Sequence, residues 1–197
     1  MKSPRTPLGG SLTKSLRTTV SILALASLSA IAFAQSDAMP NMKSEPKSEA
    51  QNSFDQLKTL AGSWDGRVTT IPPDPDMEGK VVHASLRVTS MGNALMHEMT
   101  GAGRPDDPIT MIYLDNDRLL LTHYCDAGNR PRMTGKMSPD EKTLEFAFLD
   151  VAGSTQYGHM DHAAFNVIDA NHHSEDWYYM APDNKLMHAH MELQRTK

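Results

Sequence analysis

Between Leu121 and Met133 the chain concentrates a histidine, a tyrosine, an asparagine and an arginine: His123, Tyr124, Asn129 and Arg132. A guanidinium grips a carboxylate or phosphate through parallel N–H bonds, and imidazole, phenol and amide groups beside it add further hydrogen bonds. Such a set could hold the acidic head of an amphipathic molecule, with Met133 and other methionines as a deformable apolar wall. Strand alternation groups His123 with Leu119, Leu121 and Cys125, and Tyr124 with Leu120 and Thr122. The first face is the more apolar, so His123 is expected to point inward. The competing reading is that Asn129 and Arg132 fix a hairpin turn while His123 is a hydrogen-bonded core residue.

Three other histidine groups could carry chemistry. His159 shares a face with Asp161, Ala163, Phe165 and Val167, whereas His162 lies on the opposite face of the same segment. His159 is therefore the candidate for an interior ligand contact, with a strand-end rim position as the alternative. His188, His190 and Glu192 form H-x-H-x-E, the i, i+2 spacing that brings two imidazoles to one zinc or copper ion. The intervening Met187, Ala189, Met191 and Leu193 are apolar and should be the buried face, which would leave the histidines in solvent. A third ligand is hard to place, so no metal is expected and His188, His190 and Glu192 stand as the alternative. His172-His173 reads as a solvated turn.

No enzyme signature stands beside them. G-x-S-x-G, a phosphate-cradling glycine loop and H-E-x-x-H are all absent. Methionines recur in the expected strands (Met96, Met99, Met111, Met133, Met160, Met180, Met187, Met191), but no Met-x-x-Met repeat suggests copper handling, so packing is the default. The single cysteine, Cys125, gives no disulfide framework. It reads as a small buried residue, with an intermolecular disulfide as the alternative.

The elements that must position these residues are strands. Period-two alternation predicts strands over Ser63–Thr70, Lys80–Ser90, Ala94–Thr100, Ile109–Leu114, Arg118–Cys125, Arg130–Met137, Thr143–Leu149, His159–Ile168, His172–Met180 and Lys185–Gln194. Asp115-Asn116-Asp117 and Ser138-Pro139-Asp140-Glu141 are turn sequences between them. A short helical turn, Phe54–Leu60, precedes the strands and should cover one end. About ten strands with short connections suit an antiparallel up-and-down meander. Closing it into a barrel removes its edges, and a barrel of this size is expected to enclose a cavity. A sandwich is the alternative.

Lys2, Arg5, Lys14 and Arg17 precede an apolar run, Val20–Ala34, that ends in Ala32-Phe33-Ala34. This predicts a secretory signal peptide over 1–34. The run falls short of the roughly 20 residues of a stable transmembrane helix, so no membrane insertion is expected after cleavage. Residues 35–52 are Ser, Glu, Pro, Lys and Met without periodicity and read as a disordered linker, leaving 53–197 as the folded domain. Cleavage would remove four positive charges and no negative one, taking the formal net charge from −5 to −9. That balance disfavours nucleic acid and anionic membrane surfaces as partners.

The opening Leu60-Ala61-Gly62-Ser63-Trp64-Asp65-Gly66 resembles the start of calycin-like barrels of the nitrobindin and lipocalin type. Leu121–Met133, Gly158-His159-Met160 and Met191-Glu192-Leu193-Gln194-Arg195 resemble segments of exported bacterial barrels of unassigned function. The resemblance spans the domain from Ser53 onward. It implies an all-β calycin-like barrel in the periplasm or outside the cell; a monomer or dimer is expected. Nitrobindins bind haem through a histidine, but no motif here assigns that role to a residue. The first expectation is thus a container for a small apolar or amphipathic molecule, anchored by His123, Tyr124, Asn129, Arg132, Met133 and His159. A haem- or metal-binding barrel using His123, His159 or the His188/His190 pair is the second. A filled barrel acting as an envelope interaction module is the third.

Overall fold

The computed structural model of the chain describes residues 46–101 and 108–196. The expected signal peptide and residues 35–45 of the expected linker lie outside them. Helix α1 (Glu49–Lys58) leads into ten strands: β1 (Gly62–Ile71), β2 (Val81–Thr89), β3 (Ala94–Gly101), β4 (Ile109–Asp115), β5 (Arg118–Tyr124), β6 (Arg130–Met137), β7 (Thr143–Ala152), β8 (His159–Val167), β9 (His172–Met180) and β10 (Leu186–Arg195). Each strand pairs antiparallel with its sequence neighbours, and β1 pairs with β10, so the sheet is a closed up-and-down barrel. The expected architecture is the observed one, and the ten strands match those read from alternation. At the β4–β5 turn Asn116 takes the left-handed φ of 54° that Asn tolerates.

The helix begins earlier than its apolar residues suggest. Ser48 caps it, its Oγ accepting from the Gln51 backbone N–H at 3.1 Å, and Glu49 sits in the first turn, where acidic charge suits the helix dipole. Ser48-Glu49-Ala50-Gln51 is a capping-box sequence, legible in principle, but no large apolar residue precedes Phe54 to mark the turn. Phe54, Leu57 and Leu60 are buried under α1, which packs on β4, β5 and β6 and closes one end of the barrel.

That end is solid. Trp64, Leu95, Ile112, Leu119, Leu121, Met133, Phe146 and Phe165 fill it with almost no solvent exposure. The Trp64 indole N–H donates to the Leu60 carbonyl at 2.9 Å, and the Arg195 guanidinium lies 4.0 Å over its ring. Arg195 also donates to the carbonyls of Thr59, Ala61 and Ala170, so one side chain fastens the α1–β1 connection and the β8–β9 turn to the last strand. Cation–π and carbonyl contacts together make it a clasp.

Gly66 permits the closure. A Cβ built there would lie 2.2 Å from the Glu192 carbonyl oxygen and 2.9 Å from Leu193 Cδ2, so β1 and β10 meet at a distance only glycine allows. Gly66→Ala is expected to cost about 1–3 kcal/mol, a drop in Tm of several degrees in a domain of this size. Thermal unfolding followed by circular dichroism checks this; an unchanged Tm would mean that the seam relaxes freely. Among the described residues no helix is long and apolar enough to cross a membrane.

Candidate functional site

At the end opposite α1, which the described residues leave open, the barrel interior changes from hydrocarbon to histidine. The inward positions of β9 carry His173, Glu175 and Trp177, and β3, β4 and β5 bring His97, Thr110 and His123 to face them. Glu175 is completely buried and ionised. Burial alone would raise its pKa, but the facing His97 and His173 hold it well below the ordinary carboxylate range. A carboxylate only accepts hydrogen bonds, so His173 Nε2–H donates to Oε1 at 3.0 Å and Trp177 Nε1–H donates to Oε2 at 2.9 Å. Trp64 packs edge-on against His173 at 4.2 Å between ring centres, which locks the imidazole from the other side.

His97 and His123 form the boundary between this network and open space. His97 Nε2 lies 3.2 Å from Glu175 Oε2, yet off the hydrogen-bonding direction, and both ring nitrogens are buried without a hydrogen-bond partner. Its ring stacks on Trp177 at 5.6 Å. His123 Nδ1 bonds Thr110 Oγ1 at 2.8 Å. Burial, reinforced by the neighbouring His97, pushes the His123 pKa down from 6.5 to about 4, so this imidazole is neutral at physiological pH.

Above these rings lies a cavity of about 140 Å³. His97, Thr110, His123 and Trp177 form its floor, and Met77, Met99, Met160 and Met191 contribute to its walls. An outer pocket of about 450 Å³ shares Met77, Met160, Trp177 and Ala189 with it and continues to Met187 and His188. The β1–β2 connection folds over the mouth. Thr70 anchors it: its backbone N–H and hydroxyl both donate to Glu78 Oε2, at 2.6 and 2.8 Å, and its hydroxyl oxygen accepts from the Asp74 N–H at 2.7 Å. Met77, Asp76 and Lys80 from this connection complete the lining.

The expected ligand residues divide between the two faces of the wall. His123 points inward. Tyr124, its neighbour, is half exposed on the outside. Arg132 is also outside, where it makes a two-pronged ion pair with Asp150 at 2.8 and 2.5 Å, away from His123. Met133 points inward but sits in the filled end and does not line the cavity. Asn129 is buried and structural in its contacts. Its amide N–H groups donate to Ser154 and Gly158 carbonyls at 2.9 and 2.7 Å, which ties the β5–β6 turn to the β7–β8 connection. His159 loses its place to Met160. The β8–β9 register shifts between Met160 and His162, leaving Asp161 as an extra residue, so Met160 faces the cavity while His159 packs at a tilt against Phe148, 4.9 Å between ring centres.

Sequence reasoning missed His97, His173, Glu175 and Trp177. His173 is fully buried rather than part of a solvated turn. Only the i, i+2, i+4 spacing of His173, Glu175 and Trp177 pointed to the last three. The outward face of β10 carries His188 and His190 as expected. Both bond Asp176 of β9, His188 Nε2 at 2.6 Å and His190 Nδ1 at 2.8 Å, and Glu192 takes no part in that group.

Two solved structures are similar in fold. A protein of unknown function from the DUF3598 family of Nostoc punctiforme PCC 73102 superposes with a TM-score of 0.50 at 12% identity, covering 72% of this chain and 49% of that one. This chain thus spans about half the length of that protein. The S-type phycobiliprotein lyase CpeS of Guillardia theta is similar at a TM-score of 0.39 and 8% identity, covering 77% of this chain and 99% of that one. At 12% identity the likeness to the first of these is one of fold alone. No protein-family model matches the chain, and no curated protein matches it in sequence.

Proposed function

We propose that this protein is an exported barrel that holds one compact apolar or amphipathic molecule in the cavity at its open end. The observation that carries this reading is the floor of that cavity: His97, almost wholly buried, lines it with its Nδ1 lacking any partner, while Nε2 lies 3.2 Å from Glu175 Oε2. Buried polar groups are rarely left so, and a guest hydroxyl or carboxyl group would complete the set. The methionine walls would accept an apolar body of imprecise shape. A cavity of about 140 Å³ is smaller than the roughly 300–1,000 Å³ of a drug-sized site, which favours a small guest. Export is supported by the basic-then-apolar sequence of Met1–Ala34. In this reading the polar anchor is His97 with His123, in place of Arg132.

The test is titration with 1-octanol, a probe with one hydroxyl and an apolar tail, followed by Trp177 fluorescence. A saturable single-site response is expected. His97→Phe should weaken it about tenfold, equivalent to the loss of one hydrogen bond of about 1.4 kcal/mol. Arg132→Ala should leave affinity unchanged, because its guanidinium is outside and engaged with Asp150. Ala189→Phe should abolish binding by filling the space. Binding that survives Ala189→Phe, or falls with Arg132→Ala but not with His97→Phe, would overturn the proposal.

A further inference from the structure

We propose that Asp176, His188 and His190 bind one divalent transition-metal ion, with zinc as the representative, on the outer face of β9 and β10. The ligand atoms of the three residues all lie within 4.8 Å of one another, and all three side chains are half-buried. The strand pairing fixes this arrangement. His190 sits directly across from Asp176 in the β9–β10 ladder, and His188 lies two residues along on the same face. The Tyr178 ring, across from His188, stacks on that imidazole at 4.3 Å with an interplanar angle of 3°, holding it edge-on towards the carboxylate. One carboxylate oxygen, Oδ1, accepts from both rings. Each facing ring nitrogen carries a proton in that arrangement, and an ion takes the place of those protons.

The distances permit the exchange. Zinc binds imidazole nitrogen and carboxylate oxygen at about 2.0–2.2 Å, which sets tetrahedral ligand atoms about 3.4 Å apart. The two present separations, 2.6 and 2.8 Å, need to open by roughly 0.6–0.8 Å, within reach of side-chain rotation. Two imidazoles and one carboxylate leave at least one coordination position for water or a small anion, and nitrogen–oxygen donor sets suit zinc, copper and nickel over magnesium or calcium. This inference is independent of the lumen ligand. His188 also edges the outer pocket, but the ligand atoms belong to the outside of the wall.

Competition against a chromophoric chelator, with zinc as the probe, tests the site on the full chain. One equivalent of zinc is expected per protein. Asp176→Asn and His188→Ala should each weaken binding at least tenfold. Glu192→Gln and His172→Ala should leave it unchanged, the latter because His172 belongs to a separate exposed pair with Asp169. Cobalt(II) supplies a second readout: a visible absorption band of a four- or five-coordinate ion, lost in Asp176→Asn. Circular dichroism of each variant separates loss of the site from loss of the fold. No stoichiometric binding, or equal weakening by His172→Ala and Asp176→Asn, would overturn the proposal.

Discussion

Glu175→Ala is expected to lower the Tm by about 10 °C or to leave the chain unfolded. The carboxylate is wholly buried at the centre of the barrel and accepts N–H groups from His173 and Trp177, with His97 beside it. Removing it strands two donors and opens a hole among aromatic rings. Breaking such a buried pair costs about 3–5 kcal/mol, and each kilocalorie is worth about 2–4 °C in a domain of this size. Glu175→Gln should be milder, because its amide oxygen can still accept from Trp177 or His173. Thermal unfolding of both variants checks the order. A Tm within two degrees or so of the parent for Glu175→Ala would show that the network contributes nothing to the fold.

Stability is also expected to fall as the pH is lowered from 6.5 to about 4, with His123 as a principal cause. In the unfolded chain this imidazole takes up a proton near 6.5, whereas burial and His97 keep the folded one neutral down to about 4. Between those values the unfolded state binds more protons, so stability rises with pH and is lost on acidification. The full difference is about 3 kcal/mol, reached once the pH is below the folded value. Glu175 acts in the same direction at lower pH. Its pKa is depressed in the fold, so its contribution is present above the ordinary carboxylate range and disappears as the pH falls through and below it. Urea unfolding of the parent and of His123→Leu at pH 7, 5.5 and 4.5 separates the two. The variant should lose less stability between 7 and 4.5. Parallel losses would contradict the assignment to His123.

The barrel itself was legible because its strands announce themselves. Leu144, Phe146 and Phe148 fall at alternate positions of β7, and Asp115-Asn116-Asp117 marks the turn between β4 and β5. What lies inside was less legible, for two physical reasons. The first is that β9 has no apolar face to find: its inward residues are His173, Glu175, Trp177 and Tyr179, so hydropathy could not separate inside from outside. The sequence reading opened a strand at His172 yet took the His172-His173 pair as a solvated turn. The second is parity. A site built from both His123 and Tyr124, or from both Arg132 and Met133, joins neighbours on a strand, and neighbours face opposite sides of the wall. Bulges shift that parity again, as the extra residue Asp161 does when it gives Met160 the position expected of His159. Asp176, which joins His188 and His190, belongs to a strand distant in local pattern though adjacent in the ladder, and cross-strand register is not written in local sequence.

The methionines supply their own report on the central claim. Met77, Met99, Met160 and Met191 line the cavity, whereas Met91 is fully exposed and Met96 and Met111 border a groove on the outside of the wall. Methyl NMR of protein labelled at the methionine methyl carbon, titrated with 1-octanol, distinguishes a guest inside from a guest outside in one experiment. The cavity methionines should shift together and saturate at one equivalent, while Met91, Met96 and Met111 stay fixed. Shifts confined to the outer methionines, or none at saturation, would contradict a binding cavity and leave a filled barrel.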